Sequence, residues 1–207
     1  MEIDLNSELT FRNSFLFPVQ NVLARKEVLL GAALVLVPVL GWVLNMGHRI
    51  EMVHKMHRGQ PAWPSWNNYG RLLKSGTIAF LGMIYYYLPG AILAVISFHG
   101  RLPWLGALAV GLLFLATLAI PGYMTHYCRK YDAREIFDPA RAFGRVLKGG
   151  RLYWKAWAIA ISALALSFLG LLGLGIGFLA TSVWFWQVAG FSFASVFTER
   201  FSLAENV

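Results

Sequence analysis

Residues 153–198 read YWKAWAIAISALALSFLGLLGLGIGFLATSVWFWQVAGFSFASVFT, 46 residues with a single formal charge, Lys155, near the start. One helix of that length would rise about 69 Å, more than twice the ~30 Å hydrocarbon core of a bilayer. Two spans joined by a tight reversal fit instead. The reversal is expected in Gly170-Leu171-Leu172-Gly173-Leu174-Gly175-Ile176-Gly177, where glycine tolerates a sharp turn. The two spans then lie at about 153–171 and 176–198. The glycine run is not a phosphate cradle, because nothing basic or hydroxylated stands at the offset that such loops need.

The rest of the chain extends this pattern. Of its 207 residues 57% are hydrophobic and only 14% charged, against about 25% charged in a soluble domain. The charges cluster between long apolar runs. Three further spans are expected, at about 27–48, 76–98 and 104–127. The first contains Pro38, which removes a backbone donor and predicts a kink. A mixed segment, 1–26, precedes it and reads as an extended or interfacial arm. It carries acids and lacks the early apolar core of a cleavable signal peptide. The expected architecture is all-α, a polytopic membrane helix bundle with about five transmembrane helices.

The formal net charge is +8. The positive-inside rule accounts for it, with anionic lipid head groups as partners. Nucleic acid is not expected, since no separate soluble basic domain exists to carry it. Two long basic loops, Arg49–Lys74 and Arg129–Arg151, define an inner side. With five spans, fourteen of the eighteen Lys and Arg residues fall there, including Arg200 after the last span. Arg12, Arg25, Lys26 and Arg101 fall opposite. The C-terminus is therefore expected in the cytoplasm and the N-terminus outside. Were the Pro38 segment only to dip into the membrane, the N-terminus would be inside as well.

An internal repeat sits in the two basic loops. Residues 69–76 read YGRLLKSG and residues 143–150 read FGRVLKGG. Each precedes a span, and each follows a helix-start signal, Ser65 in one and Asp138-Pro139 in the other. Each predicts a short amphipathic surface helix, at about 65–75 and 138–149. Arg71, Lys74, Arg145 and Lys148 would reach phosphates or snorkel, and Trp63 and Trp66 would sit at the interface. The arrangement is then span, surface helix, span, twice over, with one closing span.

The stretch Gln60-Pro61-Ala62-Trp63-Pro64-Ser65-Trp66-Asn67-Asn68-Tyr69-Gly70, followed by a span with Tyr87-Leu88-Pro89, resembles the bacterial and archaeal membrane family called domain of unknown function 4013. Phe17-Pro18, Val37-Pro38-Val39-Leu40-Gly41-Trp42, the Phe137-Asp138…Phe143-Gly144-Arg145 loop and the final glycine-rich hairpin fit the same family. The resemblance covers nearly the whole chain. It implies a multi-pass protein of a bacterial-type plasma membrane, or of an internal photosynthetic membrane in a photosynthetic host. It supplies no catalytic or binding residues.

Candidate chemistry is sparse. The expected spans hold no Asp, Glu, Arg or Lys away from their ends, which argues against ion-coupled transport and intramembrane hydrolysis. His48, His54 and His57 lack the spacing of a metal site, and Glu51 is their only nearby acid. No metal and no cofactor are expected. His99 and His126, at span ends, read as interfacial anchors, although such positions can also ligate a pigment. Cys128 stands alone, so no intramolecular disulfide forms. Tyr85, Tyr86 and Tyr87 read as packing residues with one or two hydroxyl hydrogen bonds. Gln187 is expected to make an interhelical hydrogen bond. With Trp184, Trp186 and Phe191 it marks a face for packing against a membrane-protein partner. The sequence thus favours a non-enzymatic scaffold or accessory subunit. The alternative is a transporter or channel-like protein for lipid or small apolar molecules.

Overall fold

A computed structural model describes residues 3–173 and 175–201, apart from the side chains of 199–201. Seven α-helices are described: α1 (Phe11–Leu16), α2 (Val22–Val35), α3 (Leu40–His57), α4 (Tyr69–Gly100), α5 (Pro103–Lys130), α6 (Pro139–Ser167) and α7 (Ile176–Phe201). No strand occurs among the described residues. Four helical segments are long and apolar enough to cross a membrane, those starting at Tyr69, Pro103, Pro139 and Ile176.

The expected first span, 27–48, is not one helix. The chain breaks at Leu36–Val39, where proline cannot continue the ladder. There the Leu40 N–H donates to the Pro38 carbonyl at 2.7 Å, and Val39 stands at φ 62°, ψ −62°. This is a γ-turn of the rare strained kind, on a β-branched residue. The turn reverses the chain, so α2 and α3 form an antiparallel hairpin. Three contacts fix its register. A Cβ on Gly41 would lie 1.7 Å from the Leu34 carbonyl oxygen. The Asn45 amide donates to the carbonyls of Gly31 (3.1 Å) and Gly41 (2.9 Å). His48 Nε2 meets Glu27 Oε2 at 2.7 Å.

The arms of the hairpin have 14 and 18 residues, which is about 21 and 27 Å at 1.5 Å per residue. Both are shorter than the ~30 Å hydrocarbon core. Its tip exposes Leu36, Val37, Val39, Leu40 and Trp42. The hairpin brings the start of α2 and the end of α3 to the same end of the bundle, so the N-terminal arm and the 58–68 loop are neighbours there. With four crossings, the N-terminal arm, both basic loops and the end of α7 share one face. Arg101, in the short α4–α5 turn, is then the only one of eighteen Lys and Arg residues on the other. The side chain of Arg200 lies outside the described residues.

Helix α4 is a correction of another kind. The surface helix expected at 65–75 is not separate. Residues 60–68 are irregular, and Ser65 caps nothing: its hydroxyl donates to the Ala62 carbonyl and its N–H to Glu27. Asn68 is the N-cap, accepting from the Arg71 N–H at 3.1 Å, and the helix runs unbroken for 32 residues. In the other copy Asp138 caps the helix that starts at Pro139, accepting from the Arg141 N–H at 3.0 Å, and the helix changes direction at Gly150, where φ is 58°. Gly76, at the equivalent position of the first copy, is helical and lies against α3. A Cβ there would come within 2.0 Å of the Val43 carbonyl oxygen, and one on Gly47 within 1.9 Å of Leu72 O. The two copies thus share a sequence and not a conformation, because one must bend and the other must admit a backbone.

Helix α6 ends in a 3-10 turn, Phe168–Leu172, and α7 starts at Ile176. The glycine run makes this reversal, with Gly175 at φ 80°. Leu174 lies outside the described residues. The arm, 3–21, is partly helical, with α1 and a 3-10 turn at Phe17–Val19, and it packs on the helices. Leu5 and Phe17 join the core formed by α3, α4 and α5, while Leu9 joins the core between α6 and α7.

Candidate functional site

The 58–68 loop is pinned by one carboxylate. Glu27, 5% exposed, accepts from the Ser65 N–H (2.9 and 3.1 Å) and meets His48 Nε2. Its backbone carbonyl accepts from Trp66 Nε1 at 3.1 Å. The His48 ring stacks on Trp66 at 4.2 Å and lies 5.9 Å from Trp63. Trp63 is therefore a core residue, packed on Phe17 at 5.5 Å, rather than an interfacial anchor. The loop needs this buried acceptor because its own backbone forms no ladder.

A second cluster closes the inner ends of α3, α4 and α5. Glu51, buried, pairs with Arg71 at 2.5 Å and accepts from the Tyr131 hydroxyl at 2.5 Å. His54 Nδ1 meets the Cys128 carbonyl at 2.7 Å. His57 lies 3.5 Å from the Thr198 hydroxyl. Burial, then the charges of Arg129 and His54, push the His57 pKa down to about 4. The three loop histidines thus face different partners. No group of three metal-ligating side chains forms among the described residues. His99 Nδ1 and His126 Nδ1 each meet the carbonyl four residues earlier.

The expected head-group residues divide. Arg71 is taken by Glu51, and Arg145 pairs with Glu135. Lys74 and Lys148 are exposed. The expected partner-packing face divides as well. Trp184 Nε1 donates to the Phe15 carbonyl at 3.1 Å, and Phe191 stacks on Phe17 at 4.5 Å. The N-terminal arm therefore covers the face that the sequence offered to a partner. Gln187 is buried with neither amide atom hydrogen-bonded among the described residues, so the expected interhelical bond is not seen there. Trp186 alone of the four is exposed, at 48%. The tyrosines behave as read: Tyr86 donates to the Ile136 carbonyl (2.9 Å), and Tyr87 shares a hydrogen bond with Thr117 (2.8 Å).

Beside Trp186 lies a cavity of about 320 Å³ among α3, α4, α5, α6 and α7. Ile50, Val53, Met83, Met124, Ala160 and Phe193 are among the residues that make its wall apolar. The polar side chains there are mostly engaged. Thr117 and Thr125 donate to carbonyls four residues back in α5. The buried Trp157 Nε1 has no hydrogen-bond partner among the described residues, and the other exception is Arg49. Its stem lies along α7, 3.1 Å from where a Cβ on Gly190 would stand, and its guanidinium sits 4.7 Å over the Trp186 ring. It makes no ion pair or hydrogen bond among the described residues, so the contact with Trp186 is a cation–π one alone.

Sequence reading placed Arg49 in a loop, as one more inner charge. The structure places it midway along α3, facing the cavity. The signal was there in a different form. Arg49, Ile50 and Val53 share a helical face with apolar neighbours once 40–57 is read as one amphipathic helix rather than as the end of a span.

The family described as "Protein of unknown function (DUF4013)" matches residues 30–198, which leaves out the N-terminal arm. The chain belongs to that family. No curated protein and no solved structure matches it.

Proposed function

We propose that this chain is a non-catalytic membrane protein that holds a lipid or another small apolar molecule in the cavity between α3 and α7. The observation that carries the reading is the cavity itself. It is lined from five helices by mostly apolar side chains and has the volume range and lining of small-molecule sites. Its mouth includes Trp186 and Leu164, both exposed on apolar helices. An apolar ligand could reach it from the bilayer. A scaffold role loses its main support, since the aromatic face of α7 is occupied by residues 15–17. The inner face, with seventeen basic residues, is the cytoplasmic side in this reading, against anionic head groups.

The test is native mass spectrometry of the full chain purified in a mild, delipidating detergent. A discrete one-to-one adduct is expected. It should be lost in Ala160→Phe or Ala189→Phe, which fill the cavity from α6 and α7. A chain that sheds all lipid, or adducts insensitive to both substitutions, would overturn the reading.

A further inference from the structure

We infer that the cavity selects a single-chain anionic amphiphile, whose oxyanion head pairs with Arg49 and whose acyl chain lies on the apolar wall. This rests on the proposed ligand-holding function and names the ligand's chemistry. The argument begins with charge. A guanidinium held among apolar side chains without a counter-charge is costly, and buried charges are ordinarily paired. Two carboxylates lie on the same hairpin, and neither is available. Glu27 is committed to His48 and the Ser65 N–H, and Glu51 to Arg71 and Tyr131. Among the described residues Arg49 is left as an unmatched cation at a cavity wall.

Geometry then limits the ligand. Arginine stacked on an aromatic face keeps its N–H edge free for a planar, two-point contact with a carboxylate or phosphate. Trp186 provides that face. The other wall groups are neutral, and the unpartnered Trp157 Nε1 can add one hydrogen bond but no charge. Thr117 and Thr125 are bonded to their own helix, and Tyr87 is bonded to Thr117. At the ~30 Å³ that liquid allots to one water-sized group, 320 Å³ holds on the order of ten non-hydrogen atoms. This suits part of one acyl chain, with the remainder leaving past Trp186 and Leu164. It does not hold two acyl chains side by side.

The test compares photoreactive probes of one chain length on the full chain in detergent. They are a diazirine fatty acid, the corresponding lysophosphatidate and the corresponding neutral alcohol. Affinity is measured by competition, and labelled peptides are mapped by mass spectrometry. In the wild type, at least one anionic probe should label peptides of α3, α5 or α7 and bind about tenfold or more tightly than the alcohol, as one charge-assisted contact implies. Which anion binds better distinguishes a free fatty acid from a phosphate head group. The preference should fall close to one in Arg49→Gln and persist in part in Arg49→Lys, with alcohol binding unchanged. The wild-type comparison needs no variant, so misfolding of either cannot hide the answer. Equal binding of acid and alcohol by the wild type would overturn this inference and leave the ligand-holding function standing. No labelling by any probe would overturn both.

Discussion

Glu27 is the residue whose loss should be felt furthest from its own position. It is buried and accepts from the Ser65 N–H, 38 residues away, and from the His48 ring. Replacing it with alanine leaves both donors buried without an acceptor. Each costs about 1–3 kcal/mol, and the vacated space adds to that, so Glu27→Ala should lose about 3–5 kcal/mol. Glu27→Gln keeps the shape and one acceptor oxygen and should lose about 1–2 kcal/mol. At about 2–4 °C per kcal/mol for a chain of this size, Glu27→Ala lowers the unfolding midpoint by roughly 6–20 °C. The assay is thermal unfolding in mild detergent, run with limited proteolysis of the 58–68 loop. Loop cleavage should accelerate in Glu27→Ala well below the midpoint, because the loop has no ladder of its own. A Glu27→Ala protein that unfolds within about 2 °C of the wild type, with an equally protected loop, would refute the idea that this carboxylate pins the loop.

Topology gives a second prediction. Cysteines at Asn6, Gly59 and Asp132 should react with an impermeant maleimide from one side of a sealed vesicle, and one at His99 from the other; Cys128 is buried and adds little background. Labelling of positions 6 and 59 from opposite sides would restore a full first span. Gly47→Leu should part α3 from α4, since even its Cβ would lie 1.9 Å from a backbone oxygen; a cost of about 1–3 kcal/mol or more is expected in the same unfolding assay. His57 predicts an acid dependence. Its folded pKa, about 4, lies below the ordinary 6.5, so the unfolded chain takes up the proton first as pH falls. Its contribution is full above about pH 6.5, declines between 6.5 and 4 and levels off below. The midpoint of the wild type should therefore fall more between pH 7 and 4.5 than that of His57→Asn.

The helical class, the break in 170–177 and the spans after residue 69 were legible because apolar length against bilayer thickness is a strong constraint. The hairpin was not. A proline in an apolar run predicts a kink, but whether the chain bends or reverses depends on partners distant in sequence. Here the partners are Asn45 bonding back to Gly31 and Glu27 bonding to His48. The aromatic face of α7 was legible as a face needing cover, yet nothing local said that Phe15 and Phe17, 169 and 174 residues earlier, supply it. Arg71 and Arg145 were legible as basic residues on a helix start. Their pairing with Glu51 and Glu135 is tertiary and removes them from the pool of free head-group cations.

The hairpin also explains how this chain keeps a cation at an apolar cavity while its apolar spans carry none away from their ends. An arginine at the centre of a transmembrane helix costs about 2.5–3.5 kcal/mol on insertion scales. Arg49 avoids that position. It precedes Glu51 by two residues, about 3 Å along α3, and Glu51 meets Arg71 near the start of α4 and Tyr131 at the end of α5. Arg49 therefore enters the cavity close to the inner ends of α4 and α5, while the α5 wall of the cavity extends outward from Cys128 to Thr117. The charged end lies toward the basic face, and the apolar length runs toward the middle of the bilayer. An amphiphile of the inner leaflet has the same polarity, head group toward that face and chain away from it. It could enter past Trp186 without inverting. In the proposed topology a hairpin that returns to its own side presents such a cation from the inner face; a full span would have had to carry it through the membrane.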